Sequence, residues 1–231
     1  MFKYDYFTTS KLKNLAKKPV VIIILSSILV SLSNWPVPFS LEHEWLVKDS
    51  VGYYFAQAFS SFLIMFVLPA LVIKLIFDKP LSSFGLCLPN KLSEAIKLST
   101  AAILTSLPVM FFLSSQTTFQ EYYTFKQSFG LFLLISIGPG GLYYFSEEFI
   151  FRGILFFGLW DRLKLHSFWI AGLIFALFHI GKPSGEVLVA FFLGLMFSYL
   201  SFKTKSFLPA VVVHMTLAFV LNTIINFSPI F

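Results

Sequence analysis

The chain has 231 residues, of which 57% are hydrophobic, 19% aromatic and only 12% charged, and its mean hydropathy is +0.83. Soluble domains carry about 25% charged residues and cannot bury this much apolar surface at this length. The composition therefore excludes an ordinary soluble protein and predicts a membrane protein. The net charge of +6 does not indicate a nucleic-acid partner, because the basic residues are scattered over loop positions and form no basic face.

Apolar segments of the length that a bilayer requires, about 20 residues each, follow one another along the chain. We place these spans near residues 19–36, 52–77, 94–114, 129–159, 167–181, 185–202 and 207–227. The first span follows Lys17 and Lys18 and could be a cleaved signal peptide, but the polytopic sequence downstream favours a retained span. The sequence thus predicts an all-α fold, a polytopic membrane helix bundle of about seven transmembrane helices.

Basic residues are concentrated in alternate loops. They precede span one and lie between spans two and three, four and five, and six and seven. The other loops hold one lysine each: Lys48, Lys126 and Lys182. This asymmetry predicts a cytoplasmic N-terminus and an external C-terminus. We expect an integral plasma-membrane protein, and the compactness of the chain suggests a bacterial one.

Span four contains the charged stretch "YYFSEEFIFRG" at residues 143–153. A carboxylate in the middle of a bilayer costs about 2.5–3.5 kcal/mol, so such a residue needs a partner or a function. On a helix, Glu148 and Arg152 are four residues apart and share a face, whereas Glu147 points about 100° away. The spacing predicts that Arg152 neutralises Glu148 and leaves Glu147 comparatively free. The alternative is an ion pair that only packs helices.

Two histidines follow, His179 in span five and His214 in span seven. Glu147 and His179 are each sixteen residues from residue 163, in the turn between spans four and five, and are expected at the same depth. His214 lies only seven residues into span seven and is shallower by this count. The three residues lie at one depth if the hairpin of spans four and five projects about 10 Å into the cytoplasm, or if span seven begins inside the membrane. The sequence then predicts a site between spans four, five and seven.

A desolvated carboxylate with two histidines suits the hydrolysis of an amide bond. The carboxylate can accept a proton from water, one histidine can hold that water, and the other can donate to a developing oxyanion. Glu147, His179 and His214 could instead hold a divalent metal such as zinc, since two histidines and a carboxylate form a known hydrolase set. The chain lacks the H-E-x-x-H helix of the usual zinc proteases, so we favour a site without a cofactor.

Three stretches resemble the CPBP family of intramembrane proteases, which comprises CAAX prenyl endopeptidases and bacteriocin-processing or Abi proteins. They are "EEFIFRG" (147–153), "FALFH" (175–179) and "FLGLMFSYLSFKTKSFLPAVVVH" (192–214). The family pattern is EExxxR on one helix, FxxxH on the next and a later HxxxN or HxxxD. The resemblance covers roughly residues 130–220. It implies a CPBP-like catalytic core over residues 129–231, preceded by a cytoplasmic tail and spans one to three over residues 1–128.

Carried over residue by residue, the resemblance implies that Glu147 is the general base on a hydrolytic water. It makes Glu148 and Arg152 a supporting pair, His179 a second holder of the water and His214 an oxyanion donor.

The chain departs from the family pattern at Ala218, where the family has asparagine or aspartate. Asn222 lies one turn further along, eight residues from His214 and still close to its face, and is the candidate substitute. The loss of one oxyanion donor costs about 100- to 1000-fold in turnover. The resemblance further implies that Phe175 packs near the catalytic pocket.

Two functions remain open. The first is an intramembrane endopeptidase that cuts a membrane-associated protein or peptide near the cytoplasmic leaflet. The second is a non-catalytic member of the same family that binds or regulates a partner, in bacteriocin immunity or in modulating a membrane kinase or an exporter. Intact EExxxR and FxxxH motifs favour the first function, and Ala218 favours the second.

Some neighbouring features have structural interpretations. "GPGG" at residues 138–141 predicts a kink or local break in span four, and an equally weighted functional interpretation is that this break widens a water-filled approach to Glu147. Gly172 and Gly194 predict close helix packing. Lys182 and Glu186, in the turn "GKPSGE", are expected to be solvated loop charges.

Overall fold

The described part of the chain is helical and contains no β-strand. The computed structural model describes residues 18–33, 50–125 and 128–228. The helices are α1 (Pro19–Ser33), α2 (Val51–Phe62, continued by Leu63–Val67, Leu68–Val72 and Ile73–Phe77), α3 (Leu92–Ser114), α4 (Thr117–Tyr123), α5 (Phe129–Ile137), α6 (Pro139–Glu148, continued by Phe149–Phe157 and Gly158–Leu163), α7 (His166–Phe178), α8 (Ser184–Thr204) and α9 (Leu208–Phe227). The predicted all-α helix bundle is confirmed.

Within residues 18–33, 50–125 and 128–228, five stretches are long and apolar enough to cross a membrane. They are α2, α3, α5 together with α6, α8 and α9. Helices α1 and α7 are apolar but shorter, with 15 and 13 residues. The protein is therefore a polytopic membrane bundle, while a total of seven spans is not confirmed. Residues 34–36 of predicted span one, Lys48 and Lys126 lie outside the described residues, and the orientation stays a prediction.

One hydrophobic cluster joins the N-terminal helices to the later ones. Its fully or nearly fully buried members include Ile22 of α1, Met65 of α2, Ala102 of α3, Phe156 of α6 and Phe197 of α8. Helices in a bilayer are joined largely by van der Waals packing of this kind, so the early helices are part of the same bundle. The division of the chain at residue 128 stays a prediction.

The predicted kink in span four is present at Gly138. This residue ends α5 with φ −72° and ψ −90°, and Pro139 opens α6. Proline has no amide hydrogen and disfavours helical geometry in the residue before it, so the helix restarts at this point. Helix α6 then changes from α- to π-helical geometry at Phe149, directly after the two glutamates. Such local widening of a helix is frequent at functional sites.

Helix α9 begins beside the middle of α6. The ring of Phe207, just before α9, lies 5.6 Å from the rings of both Phe145 and Phe149. Its backbone amide donates to the carbonyl of Gly85 at 3.2 Å, in the segment that follows a 3₁₀ turn at Leu81–Phe84. The start of α9 therefore does not lie level with the turn between α6 and α7. The residue count that made His214 shallower than Glu147 and His179 required such an offset.

Helices α7 and α8 cross at very short range. A Cβ added to Gly194 would lie 2.9 Å from the Cα of Gly172. No larger residue fits at this crossing without a shift of the backbone, so the predicted packing role of these two glycines is confirmed.

Candidate active site

Glu148 and Arg152 form a buried ion pair within α6. The Nη1 of Arg152 donates to Oε1 of Glu148 at 3.1 Å. Arg152 Nε lies 3.1 Å from Oε2, a contact whose angle does not make it a hydrogen bond, and both side chains have 0% exposure. The guanidinium also lies 4.3 Å from the ring centroid of Phe175, and its Nη2 donates to the carbonyl of Gly194 at 3.4 Å. The predicted pairing of Glu148 with Arg152 is observed.

His214 shares the same carboxylate. Its Nδ1 lies 2.8 Å from Oε1 of Glu148. An ion-paired carboxylate oxygen accepts hydrogen bonds, so Nδ1 carries the proton and donates it. The imidazole packs against Tyr144, with ring centroids 4.6 Å apart. This leaves Nε2 as the nitrogen of His214 that is available to a ligand.

Glu147 is buried but unpaired. Its exposure is 2%, and among the described residues no hydrogen bond or ion pair reaches its carboxylate. The two adjacent glutamates therefore differ as the helix geometry predicts, because Glu148 has two partners and Glu147 has none in the described part of the chain.

His179 follows the last turn of α7. Its Nδ1 lies 2.7 Å from the carbonyl oxygen of Phe175, which can only accept, so the ring proton is on Nδ1. The ring lies edge-on to Phe175, with centroids 4.7 Å apart. Phe175 thus contacts Arg152, His179 and, at 5.7 Å, His214. The expected packing of Phe175 beside the site is observed.

Glu147, His179 and His214 line one cavity of about 100 Å³. A water molecule takes about 30 Å³ in the liquid, so the cavity has room for water next to these groups. Much of the remaining wall is apolar and comes from α3, α8 and α9, with Leu113 and Leu193 as examples. The structure therefore brings the three predicted groups to a common space.

The sequence interpretation missed a polar group at the end of this cavity. Tyr123, Lys182 and Glu186 line it as well. The hydroxyl of Tyr123 contacts both oxygens of Glu186, at 2.7 and 2.6 Å, and Lys182 Nζ donates to Oε1 at 3.0 Å. Burial and then the charge of Glu186 raise the pKa of Tyr123, so its hydroxyl stays protonated and donates.

The expectation that Lys182 and Glu186 are solvated loop charges is wrong. The side chain of Glu186 is 14% exposed and that of Lys182 is 29% exposed. Short helix α4 was not predicted, and its Tyr123 covers Glu186. Tyr143 and Tyr144, which also line the cavity, carried no sequence signal beyond their place before the two glutamates.

The cavity extends away from the lysine-rich end of the bundle. At that end, Lys79 lies 3.8 Å from Asp161, and Ser206 Oγ donates to the carbonyl of Cys87. The polar group of Tyr123 and Glu186 belongs to the loops that the predicted topology places outside. The orientation of the bundle and the expected position of the site near the cytoplasmic leaflet both stay predictions.

Comparison with known families gives a match over residues 127–220. This segment matches the family model of the Rce1-like proteins, described as type II CAAX prenyl endopeptidase Rce1-like. The family resemblance is confirmed. The matched segment contains Glu147, Glu148, Arg152, His179 and His214. No curated protein and no solved structure is significantly similar to the chain.

Ala218, inside the matched segment, and Asn222, two residues beyond its end, both line the cavity. The Nδ2 of Asn222 donates to the carbonyl of Ala218 at 2.9 Å. One of its two amide hydrogens is therefore used by the backbone, and the other remains for a ligand. Asn222 lies on the expected wall, while its role as an oxyanion donor stays a prediction.

The alternative metal set is not assembled in this geometry. Across residues 18–33, 50–125 and 128–228, no three histidine, cysteine, aspartate or glutamate side chains come together in an arrangement that could hold an ion. Glu147, His179 and His214 line the same cavity without converging on one point. A site without a cofactor stays a prediction.

Proposed function

We propose that this Rce1-like membrane protein is an intramembrane endopeptidase that hydrolyses a peptide bond of a membrane-associated protein or peptide. The observation that carries the proposal is the contrast between Glu147 and Glu148. Glu148 is held by Arg152 and His214, whereas Glu147 is equally buried, unpaired and on the wall of a cavity. An unpaired carboxylate in a desolvated cavity is costly, and its use as a general base gives a reason for it.

In this proposal Glu147 removes a proton from water. His179 holds the same water, because its Nδ1 proton is donated to Phe175 and its Nε2 is free to accept a hydrogen. The water oxygen forms a bond to the scissile carbonyl carbon, and the carbonyl π electrons move to its oxygen. Glu147 then returns the proton to the leaving amine as the carbon–nitrogen bond breaks.

His214 donates to the oxyanion from Nε2. Since Nδ1 is already bonded to Glu148, donation from Nε2 requires the doubly protonated imidazolium. The charges then balance, because Arg152 and His214 carry two positive charges against the two carboxylates of Glu147 and Glu148. The role of Glu148 is to accept the Nδ1 hydrogen of His214 and to hold the ring in place, with Arg152 as its anchor.

The decisive experiment compares wild type with Glu147→Gln and Glu148→Gln in detergent. Cleavage of a broad peptide set and folding are measured together, with and without chelator. We expect Glu147→Gln to fold normally and to lose about 100- to 10,000-fold in turnover, the usual contribution of a general base. A chelator without effect would establish the metal-free mechanism, whereas loss of activity that zinc restores would replace it by the metal set. Full activity of a folded Glu147→Gln would overturn the proposal.

The second candidate is a non-catalytic binding protein, and the observation that favours it is Ala218. The cavity wall lacks a polar side chain where the family pattern has asparagine or aspartate, so the oxyanion site has fewer donors. Under this alternative, Glu147→Gln retains the cellular function of the wild type. The endopeptidase requires that the same variant abolish it.

A further inference from the structure

Glu186 is a largely buried carboxylate, with its side chain 14% exposed, that the proposed reaction does not use although it lies in the same cavity. Its Oε1 is 3.8 Å from Nε2 of His179, the nitrogen that would hold the water. Glu147 and Glu186 thus line one cavity together with His179. A carboxylate at this place has to be explained, because its burial is costly.

Glu186 is fixed by groups from three parts of the fold. Tyr123 at the end of α4 donates to its carboxylate, and Lys182 in the α7–α8 turn forms an ion pair with it at 3.0 Å. Tyr123 is itself anchored, because Asn226 of α9 donates to its backbone carbonyl at 3.0 Å. The side-chain oxygen of Asn226 accepts from the amide of Phe125 at 2.6 Å. A carboxylate with these anchors has one position and one orientation.

The contact between Glu186 and His179 fits a bridging water. A distance of 3.8 Å is too long for a direct hydrogen bond. With the ring proton of His179 on Nδ1, both Nε2 and the carboxylate oxygen are acceptors. One water can join them, the same water that Nε2 holds in the proposed reaction: it donates one hydrogen to Nε2 and, until Glu147 removes the other, donates that one to Glu186.

We propose that Glu186, held by Tyr123 and Lys182, is a positioning residue that fixes the imidazole of His179 in the cavity. This inference rests on the proposed function, in which His179 holds the hydrolytic water. Phe175 fixes one nitrogen of the ring and Glu186 fixes the other through water. The imidazole plane is then determined at both ends. Misplacement of such a group by about 1 Å costs on the order of 100-fold in rate.

The test uses the full-length protein in detergent with three variants and a control. Glu186→Gln removes the charge but retains an oxygen for the hydroxyl of Tyr123. Glu186→Asp retains the charge but withdraws the carboxylate, and Tyr123→Phe removes one anchor. The control is Glu121→Gln, an exposed glutamate on the same helix as Tyr123. Folding of each variant is checked by thermal unfolding. If Glu186→Gln does not fold, the test uses Glu186→Asp and Tyr123→Phe.

We expect Glu186→Gln and Glu186→Asp to lower kcat about 10- to 100-fold with KM changed less than about threefold. Tyr123→Phe should cause a smaller loss, because Lys182 still holds the carboxylate, and the control should match wild type. A rise in KM at unchanged kcat would assign Glu186 to the closure of the cavity and overturn the proposal. Unchanged kcat in both Glu186 variants would also overturn it.

A second readout separates this inference from the proposed function. Protein labelled with ¹³C and ¹⁵N at its 4 histidines reports the ring of His179 by NMR, assigned from the spectrum of His179→Gln. Glu186→Gln should shift the Nε2 and Cε1 signals of His179 and leave those of His214 in place. This result supports the positioning role even if the wild type cleaves no peptide, in which case only the endopeptidase proposal fails. Unshifted His179 signals would overturn the positioning role whatever the activity.

Discussion

Glu148→Gln is expected to destabilise the fold strongly, while Glu147→Gln, one residue earlier, is expected to leave it nearly unchanged. Glu148 pairs with Arg152 and with His214, and the ion pair with Arg152 has 0% exposure on both sides. Removal of one partner from a buried pair costs about 3–5 kcal/mol, because the remaining charge stays buried without compensation. Glu147 has no such partner among the described residues, so its substitution is expected to change stability by about 1 kcal/mol or less.

The measurement is reversible unfolding in mixed micelles of a nonionic detergent and SDS, followed by tryptophan fluorescence. The double variant Glu148→Gln/Arg152→Met is the matched control, since it removes both members of the ion pair. It should recover part of the loss, because no unpaired guanidinium remains. Equal stability of Glu147→Gln and Glu148→Gln would refute the reasoning. The reasoning would also be refuted if the double variant were less stable than Glu148→Gln by the whole free energy of unfolding that Arg152→Met costs on its own.

Three further predictions test the site wall, the packing and the orientation. Ala218→Asn places an amide on the cavity wall and is expected to raise turnover, by up to about 100- to 1000-fold if an oxyanion donor is missing; unchanged kinetics of the folded variant would show that no donor is lacking there. Gly194→Ala is expected to cost about 1–3 kcal/mol, because its methyl group would meet Gly172 at 2.9 Å; wild-type stability in the same micelle assay would contradict the close crossing. In a cysteine-free background, an impermeant maleimide is expected to label Ser115→Cys and not Ser83→Cys in intact cells; the reverse pattern would invert the predicted topology.

The membrane class, the helical segments and the charged pair followed from local sequence. Hydropathy over about 20 residues identifies a helix that needs no partner to satisfy its backbone. The spacing of Glu148 and Arg152 places them on one face, whatever the rest of the chain does. For the same reason Glu147 could be distinguished from Glu148, and the motifs were sufficient for the family resemblance that residues 127–220 confirm. The count of seven spans is not confirmed, because α1 and α7 are shorter than the other apolar helices of the described residues.

Only the tertiary structure decided which groups share the cavity with Glu147. His214 reaches Glu148 because α9 starts beside Phe149, an offset that results from packing of Phe207 and has no local signal. Glu186 looks like a loop charge in sequence, since what covers it is Tyr123, sixty-three residues away in the chain. Local patterns determine which face of a helix a residue occupies. The depth and neighbours of that face depend on how distant helices pack, and this packing placed Glu186 opposite His179.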